Sequence, residues 1–205
     1  MTSIESVTLE ATDPSAARDF YKSAFGLDTQ VRLRPPEAET SGFRGFTLSL
    51  IVAQPANVNT LFNAALEAGA TALKPAAKSF WGYGGVLRAP DGAIWKIASS
   101  AKKDSGPASR DIDQMVLLLG AADVSATKKF YADHGLTVGK SFGSKYVEFA
   151  TPSSPVGLAL YGYKALAKDA GVPPEGNGSH RLAVNADAGT FTDPDGFAWE
   201  SATAR

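Results

Sequence analysis

The sequence has no cysteine and only two histidines among its 205 residues. The lack of cysteine excludes disulfides, thiolate metal sites and cysteine nucleophiles. Charge of one sign is also scarce, since the formal net charge is -1 and no long acidic or basic run occurs, which argues against nucleic acid or a membrane surface as the main partner. No segment has the ~20 apolar residues of a membrane span, and the N-terminus lacks the basic start of a signal peptide. These absences predict a cytoplasmic protein.

Two phrases of the sequence occur twice in the same order. A Pro-Asp-Gly-x-x-Trp phrase stands at residues 90–95 and again at 194–199, and a Phe-Tyr pair stands upstream of each copy, at 20–21 and 130–131. A chain that repeats its phrases in order is built by duplication. The first Pro-Asp-Gly-x-x-Trp phrase is followed by Lys96, and the second is followed by Glu200.

The repeat predicts two domains joined by a linker. The polar stretch at 101–110 contains glycine and proline and separates the copies, so the predicted domains are 1–100 and 111–205. Hydrophobic periodicity and turn residues predict helices at 14–25, 58–68, 124–134 and 163–170. Alternating segments predict strands at 4–11, 29–33, 46–53, 71–73, 84–89, 93–98, 113–120, 140–150, 156–161, 180–185 and a final hairpin at 189–202.

Taken in order, these phrases resemble the vicinal oxygen chelate superfamily, which includes glyoxalase I, bleomycin-resistance proteins, fosfomycin-resistance enzymes and extradiol dioxygenases. The resemblance rests on Asp13 before Phe20-Tyr21, on Gly26-Leu27, on the Phe-Trp-Gly-Tyr-Gly-Gly phrase at 80–85 and on the two Pro-Asp-Gly-x-x-Trp turns. It implies an α+β fold of paired βαβββ modules whose cupped mixed or antiparallel sheets enclose a small-molecule cavity. The chain would then hold two glyoxalase-like domains in tandem.

The resemblance also implies positions for metal ligands on particular strands. In the second half these positions hold Gln114, His180 and Glu200, which predicts a site for one divalent metal, either zinc, nickel or iron. Glu200 is in addition the predicted catalytic residue, because a carboxylate at that place could move a proton. The first half has Ser6, Thr47 and Lys96 at the equivalent positions, and Ala159 stands where a further glutamate is expected. The metal site is therefore predicted in the second half alone.

Four aromatic residues are predicted to bind the ligand. Trp81 and Tyr83 would lie at the mouth of the cup, where their rings could stack on a planar molecule, and Tyr146 and Tyr161 would line the second cup. The alternative for the 80–83 phrase is packing within a hairpin.

Two functions remain open from the sequence. One is a metal-free binding protein, similar to the bleomycin-resistance proteins, that holds a small molecule in the cup. The other is a metal-dependent lyase, isomerase or dioxygenase that uses Gln114, His180 and Glu200. In both cases the partner is a small molecule, without nucleic acid or membrane. The duplication allows a monomer, whereas exposed strand edges would favour a homodimer.

Overall fold

The computed structural model describes residues 2–202, and it is an α+β protein as predicted. Its helices are α1 (Pro14–Phe25), α2 (Pro55–Glu67), α3 (Val124–Asp133) and α4 (Tyr163–Ala170). Its strands are β1 (Ile4–Glu10), β2 (Val31–Arg34), β3 (Thr40–Gly42), β4 (Phe46–Ile51), β5 (Thr71–Ser79), β6 (Gly82–Arg88), β7 (Ile94–Ser99), β8 (Gln114–Ala121), β9 (Thr137–Ser141), β10 (Tyr146–Ala150), β11 (Val156–Gly162), β12 (Gly176–Gly178), β13 (Leu182–Ala186), β14 (Phe191–Thr192) and β15 (Ala198–Ser201). No helix in this range is long and apolar enough to cross a membrane.

All of these strands except β3 and β12 form two cupped sheets, and each sheet takes strands from both halves of the sequence. The larger has the order β5-β6-β7-β4-β8-β11-β10-β9, and the smaller has the order β14-β15-β13-β1-β2. The strands β3 and β12 pair with each other in a separate two-stranded sheet. Antiparallel pairing of β4 with β8 joins the halves in the larger sheet, and pairing of β1 with β13 joins them in the smaller one. The strands β4 to β7 thus share one sheet with β8 to β11, and β1 and β2 share the other with β13 to β15. Neither sheet is divided between residues 100 and 111, because β4 and β8 pair across this segment. The two domains at 1–100 and 111–205 remain a prediction from the sequence repeat.

Local signals placed α1, α3 and α4 to within one residue because these signals act within a few residues, whereas α2 begins at Pro55 rather than at the predicted residue 58. At the start of α1 the Asp13 carboxylate accepts a hydrogen bond from the Ala16 amide at 3.0 Å, and Pro14 occupies the first turn. Gly26 ends the helix in the left-handed conformation, with a φ of 69°. The helix α4 has the predicted bounds.

Strand lengths were predicted less well. The strand predicted at 71–73 extends to Ser79, because β5 pairs along its length with β6 although its own sequence has no apolar alternation. The segment predicted as one strand at 140–150 is a hairpin of β9 and β10. The predicted linker at 101–110 has no helix or strand, and it is held by Gln54, whose side chain bonds the backbone at Ser105, Gly106 and Pro107.

The repeated phrases build a buried hydrogen-bond chain in each half. In the first half the Trp95 indole donates to the Tyr21 hydroxyl at 3.3 Å, and this hydroxyl donates to the Asp91 carboxylate at 2.6 Å. Trp95 is fully buried. The Phe-Tyr phrase on a helix is therefore tied to the Pro-Asp-Gly turn, which explains why the two phrases recur together.

The second half builds the same chain with a different aspartate. The Trp199 indole donates to Tyr131 at 3.2 Å, and the Tyr131 hydroxyl donates to Asp193 rather than to Asp195 of the repeated turn. Asp195 instead accepts from the Thr127 hydroxyl at 2.6 Å and from the Ala122 amide, so it holds the start of α3. Both tryptophans thus have the shared core role that their repeat positions indicate.

The buried Tyr131 predicts a loss of stability at alkaline pH. Burial, and next the neighbouring Asp193 carboxylate, raise the pKa of Tyr131 well above its ordinary value. The unfolded chain loses this proton near pH 10 while the folded chain keeps it, so the free energy of unfolding falls as pH rises above about 10. We expect Tyr131→Phe to reduce that slope by about 1 kcal/mol per pH unit in urea unfolding between pH 10 and 11, where the unfolded tyrosine is only partly ionised. Equal slopes in the two proteins, each referred to its own value at pH 8, would contradict this role of Tyr131.

Candidate functional site

The predicted metal ligands lie in different parts of the fold. Gln114 begins β8 in the eight-stranded sheet, whereas Glu200 lies on β15 in the five-stranded sheet and His180 precedes β13 of that sheet. The expectation that the three side chains share one concave sheet is wrong. The physical reason is that each sheet contains strands from both halves of the sequence. The strands of one repeat copy therefore lie in two different sheets.

His180 has a packing role in the structure. Its Nδ1 lies 2.6 Å from the carbonyl oxygen of Arg44, and its Nε2 lies 3.1 Å from the carbonyl oxygen of Asp195. The ring also stacks on Phe197 with a centroid distance of 4.0 Å. Because both ring nitrogens face backbone carbonyls, neither has a lone pair directed at a metal ion.

Glu200 belongs to an ion-pair network on the concave face of the five-stranded sheet. The Arg34 guanidinium contacts Glu200 Oε1 at 2.6 Å and Glu10 Oε1 at 3.0 Å. Arg34 lies on β2 and Glu200 on β15, with β1 and β13 between them, so these side chains reach across the cup. Burial works to lower the pKa of Arg34, but its hydrogen bonds to Glu200 and Glu10 outweigh this effect and raise the pKa.

The predicted ligand set does not fit a metal ion. A guanidinium already stands where a cation beside Glu200 would be, and the amide of Gln114 belongs to the other sheet. Within residues 2–202, no group of three or more histidine, aspartate or glutamate side chains is placed to hold a metal. A carboxylate held by arginine in this way also does not suit the proton transfer predicted for Glu200.

The concave face of the eight-stranded sheet carries α4. The helices α1 and α2 pack against the main core on the other face, where Leu48 and Trp95 lie, whereas α4 packs with a separate apolar cluster. Since side chains alternate along a strand, the neighbours of the core residues point towards α4. The cluster consists of Phe43, Val86, Ile94, Leu166, Ala167 and Ala170. The helix therefore covers one end of the cup and leaves the other end open.

A cavity of about 560 Å³ occupies the open end, and it brings together two predicted site residues, Gln114 and Tyr146. Its other polar residues are Ser49, Lys96, Glu148 and Thr151, and its apolar lining includes Ile51, Ala98, Val116, Leu118 and Pro152. Gly157 on the adjacent β11 provides space for the Gln114 amide, because a Cβ there would lie 2.8 Å from Nε2. Gln114 thus lies along the wall of the cavity.

Tyr146 supplies a hydrogen-bond donor to this cavity. Burial, followed by the neighbouring Glu148 carboxylate, raises the pKa of Tyr146 to about 12, so the hydroxyl keeps its proton at neutral pH. The hydroxyl lies 3.5 Å from Glu148 Oε2, at the outer limit of a hydrogen bond. Tyr161 lies edge-on to Tyr146 with a centroid distance of 5.9 Å, and it packs against the α4 cluster. The hydroxyl of Tyr146 can therefore turn to a bound molecule at little cost.

A second cavity of about 470 Å³ continues the first along the concave face, and Ile51, Lys96 and Ala98 line both. Trp81 borders it at the tip of the β5–β6 hairpin, where this residue is 84% exposed. Tyr83 borders it too, but its hydroxyl donates to Asn59 at 2.9 Å and the residue packs against the main core. Of the two aromatic residues predicted here, Trp81 has the more exposed ring.

Several polar residues of these cavities were not among the predicted site residues, and they include the charged Lys96, Glu148 and Asp169. Lys96 was named only as the first-half counterpart of a metal ligand, and Glu148 was not singled out. Asp169 lies on the helix predicted at 163–170, whose packing the sequence does not indicate. Tyr146, Glu148 and Ala150 alternate along one strand and therefore lie on one face of it. The prediction that Tyr146 lines the cavity could thus have been extended to Glu148. Nothing local signalled Asp169, because its place depends on α4 lying inside the cup.

Comparisons with known proteins identify the fold. Glyoxalase I from Zea mays superposes with a TM-score of 0.64 and 14% identity over 97% of this chain and 91% of that one. A putative dioxygenase from Bacillus subtilis superposes with a TM-score of 0.56 and 13% identity over 95% and 71% of the two chains. No protein-family model matches the sequence, and no curated protein sequence matches it. The chain therefore has the glyoxalase I fold, the paired βαβββ architecture that the resemblance to the vicinal oxygen chelate superfamily predicted.

Proposed function

We propose that this protein binds a small, largely apolar molecule in the first cavity, without using a metal ion held by Gln114, His180 and Glu200. The observation that carries the proposal is the cavity on the open end of the concave face, which has about 560 Å³. Ligand sites of proteins are typically clefts of about 300–1,000 Å³ with apolar walls and a few polar groups. The first cavity has this size and this composition.

The polar groups of the cavity would orient the ligand. The Gln114 amide offers a donor and an acceptor, Tyr146 offers a donor, and Glu148 offers a carboxylate. Each of them projects from a strand, and strands hold side chains more rigidly than loops do. The apolar Ile51, Val116 and Leu118 would supply most of the binding free energy through burial.

Filling the first cavity should prevent binding. N-phenyl-1-naphthylamine is a neutral aromatic probe that fluoresces when it enters an apolar site. We expect the wild-type protein to bind it at one saturable site and Val116→Phe to weaken binding by about tenfold or more, because the larger ring takes up the ligand volume. The measurement is a fluorescence titration.

Val138→Phe is the matched control, since Val138 is 37% exposed on β9 and does not line the cavity. It should bind the probe as the wild type does. The proposal fails if the wild type shows no saturable binding, or if Val116→Phe binds the probe as tightly as Val138→Phe.

A further inference from the structure

The second cavity has an excess of positive charge. Lys74, Lys78 and Lys96 border it, and Asp169 is the single acidic residue among those that line it. The chain as a whole has a formal net charge of -1, so this excess is local. Serine residues 79, 99 and 100 add small polar groups to the same lining.

Two of these lysines are positioned by the C-terminal end of α4. The Lys74 ammonium donates to the carbonyl oxygens of Lys168 at 2.9 Å and Asp169 at 2.6 Å. The Lys96 ammonium contacts Asp169 Oδ2 at 2.8 Å. An ammonium has three hydrogens, of which these contacts use two at Lys74 and one at Lys96. Both groups therefore keep donor capacity for a ligand.

Lys96 stands at the junction of the two cavities. It lines both of them, and its side chain is 36% exposed. On β6, the neighbouring strand, Val86 pairs with Lys96 and Gly84 pairs with Ala98, so the strand position diagonal to the lysine carries no side chain. A molecule in the first cavity can thus extend an end group to Lys96.

An aromatic surface lies at the outer end of the second cavity. Phe80 and Trp81 at the hairpin tip are 80% and 84% exposed, and their rings meet edge-to-face with a centroid distance of 4.9 Å. The Lys102 ammonium lies 5.7 Å from the centre of the Phe80 ring. Large exposed aromatic residues beside a positively charged cleft are suited to a planar anion.

We propose that the ligand is a planar aromatic molecule with one carboxylate or sulfonate group, and that Lys96 receives this anionic group at the junction of the cavities. The inference rests on the proposed function, because the aromatic body occupies the first cavity. The anion displaces Asp169 from part of its contact with Lys96, while Lys74 adds to the positive potential. A cationic ligand group at the junction would instead face the ammonium groups of Lys74, Lys78 and Lys96. The carboxylates of Asp169 and Glu148 offset these three charges only in part.

Two matched probes test the class of ligand. The compound 8-anilino-1-naphthalenesulfonate has the ring system of N-phenyl-1-naphthylamine with an added sulfonate. We expect Lys96→Met, which keeps most of the aliphatic stem, to weaken binding of the sulfonate about tenfold and binding of the neutral probe less than about twofold. Asp169→Asn should strengthen binding of the sulfonate about threefold, because Lys96 loses its competing partner. Lys22→Met, on the exposed side of α1, is the control and should change neither affinity.

The outcomes separate this inference from the proposed function. If the neutral probe binds and Lys96→Met leaves sulfonate binding unchanged, the inference is overturned while the proposed cavity stands. The same holds if Lys96→Met weakens both probes equally, since the lysine then acts through the fold rather than through the charge. If neither probe binds the wild type at a saturable site, the proposed function itself fails.

Discussion

Replacement of Arg34 by methionine should lower the free energy of unfolding by about 3 kcal/mol, since it leaves a buried carboxylate without its cation. The side chain of Glu10 is only 5% exposed and that of Arg34 is 29% exposed. Glu10 depends on this guanidinium, which contacts it through Nε and Nη2 at 3.2 and 3.0 Å. Equilibrium unfolding in urea with tryptophan fluorescence measures the change.

Arg32→Met is the matched control for this experiment. Arg32 lies on the same strand and is exposed, so its replacement should change stability by less than about 0.5 kcal/mol. Replacing Glu10, Arg34 and Glu200 together by methionine should recover most of the loss, because no uncompensated charge remains in the cup. If Arg34→Met is as stable as Arg32→Met, the network does not hold the five-stranded sheet together.

Leu166→Ala should lower the free energy of unfolding by about 3 kcal/mol, because Leu166 is fully buried between α4 and the concave face. The residue anchors the helix that closes one end of the cup, together with Ala167 and Ala170. A Leu→Ala change removes apolar contacts and leaves a cavity, and the rigid sheet beneath can close it only in part. The measurement is again urea unfolding.

Leu66→Ala provides the comparison on the other face. Leu66 lies on α2 and is 37% exposed, so the same substitution should cost less than about 1 kcal/mol. Equal losses in the two variants would show that α4 does not pack inside the cup. The prediction therefore tests the position of α4 directly, rather than its helical structure.

The candidate site was predicted only in part, and the reason lies in long-range pairing. Gln114 and Tyr146 were singled out from the sequence, and the structure places both in the first cavity. His180 and Glu200 were assigned to the same site because the resemblance implies metal ligands at these positions and at Gln114, and all three positions fall in the second half of the sequence. The pairing of β1 with β13 instead places Glu200 in the sheet of Arg34, on the other cup.

The two tryptophan phrases show where sequence reasoning succeeds. Each half of the sequence has a tyrosine on a helix and a tryptophan on a strand at the repeated positions. In both halves the tryptophan indole donates a hydrogen bond to the tyrosine hydroxyl in the core. The acceptor differs, because Asp91 serves the first copy and Asp193 the second. A shift of two residues within a turn is decided by the backbone path, which the repeat alone does not specify.

Local chemistry in the sequence determined the helices, the turns and the repeated module, because capping residues, glycines and apolar periodicity act over a few residues. The α+β architecture was implied by the resemblance to the vicinal oxygen chelate superfamily that the repeated phrases carry. Only the tertiary structure decided which module pairs with which, where α4 lies and which polar side chains share a cavity. Those features depend on contacts between strands far apart in the chain, such as β4 with β8, and such contacts leave no periodic mark on either segment.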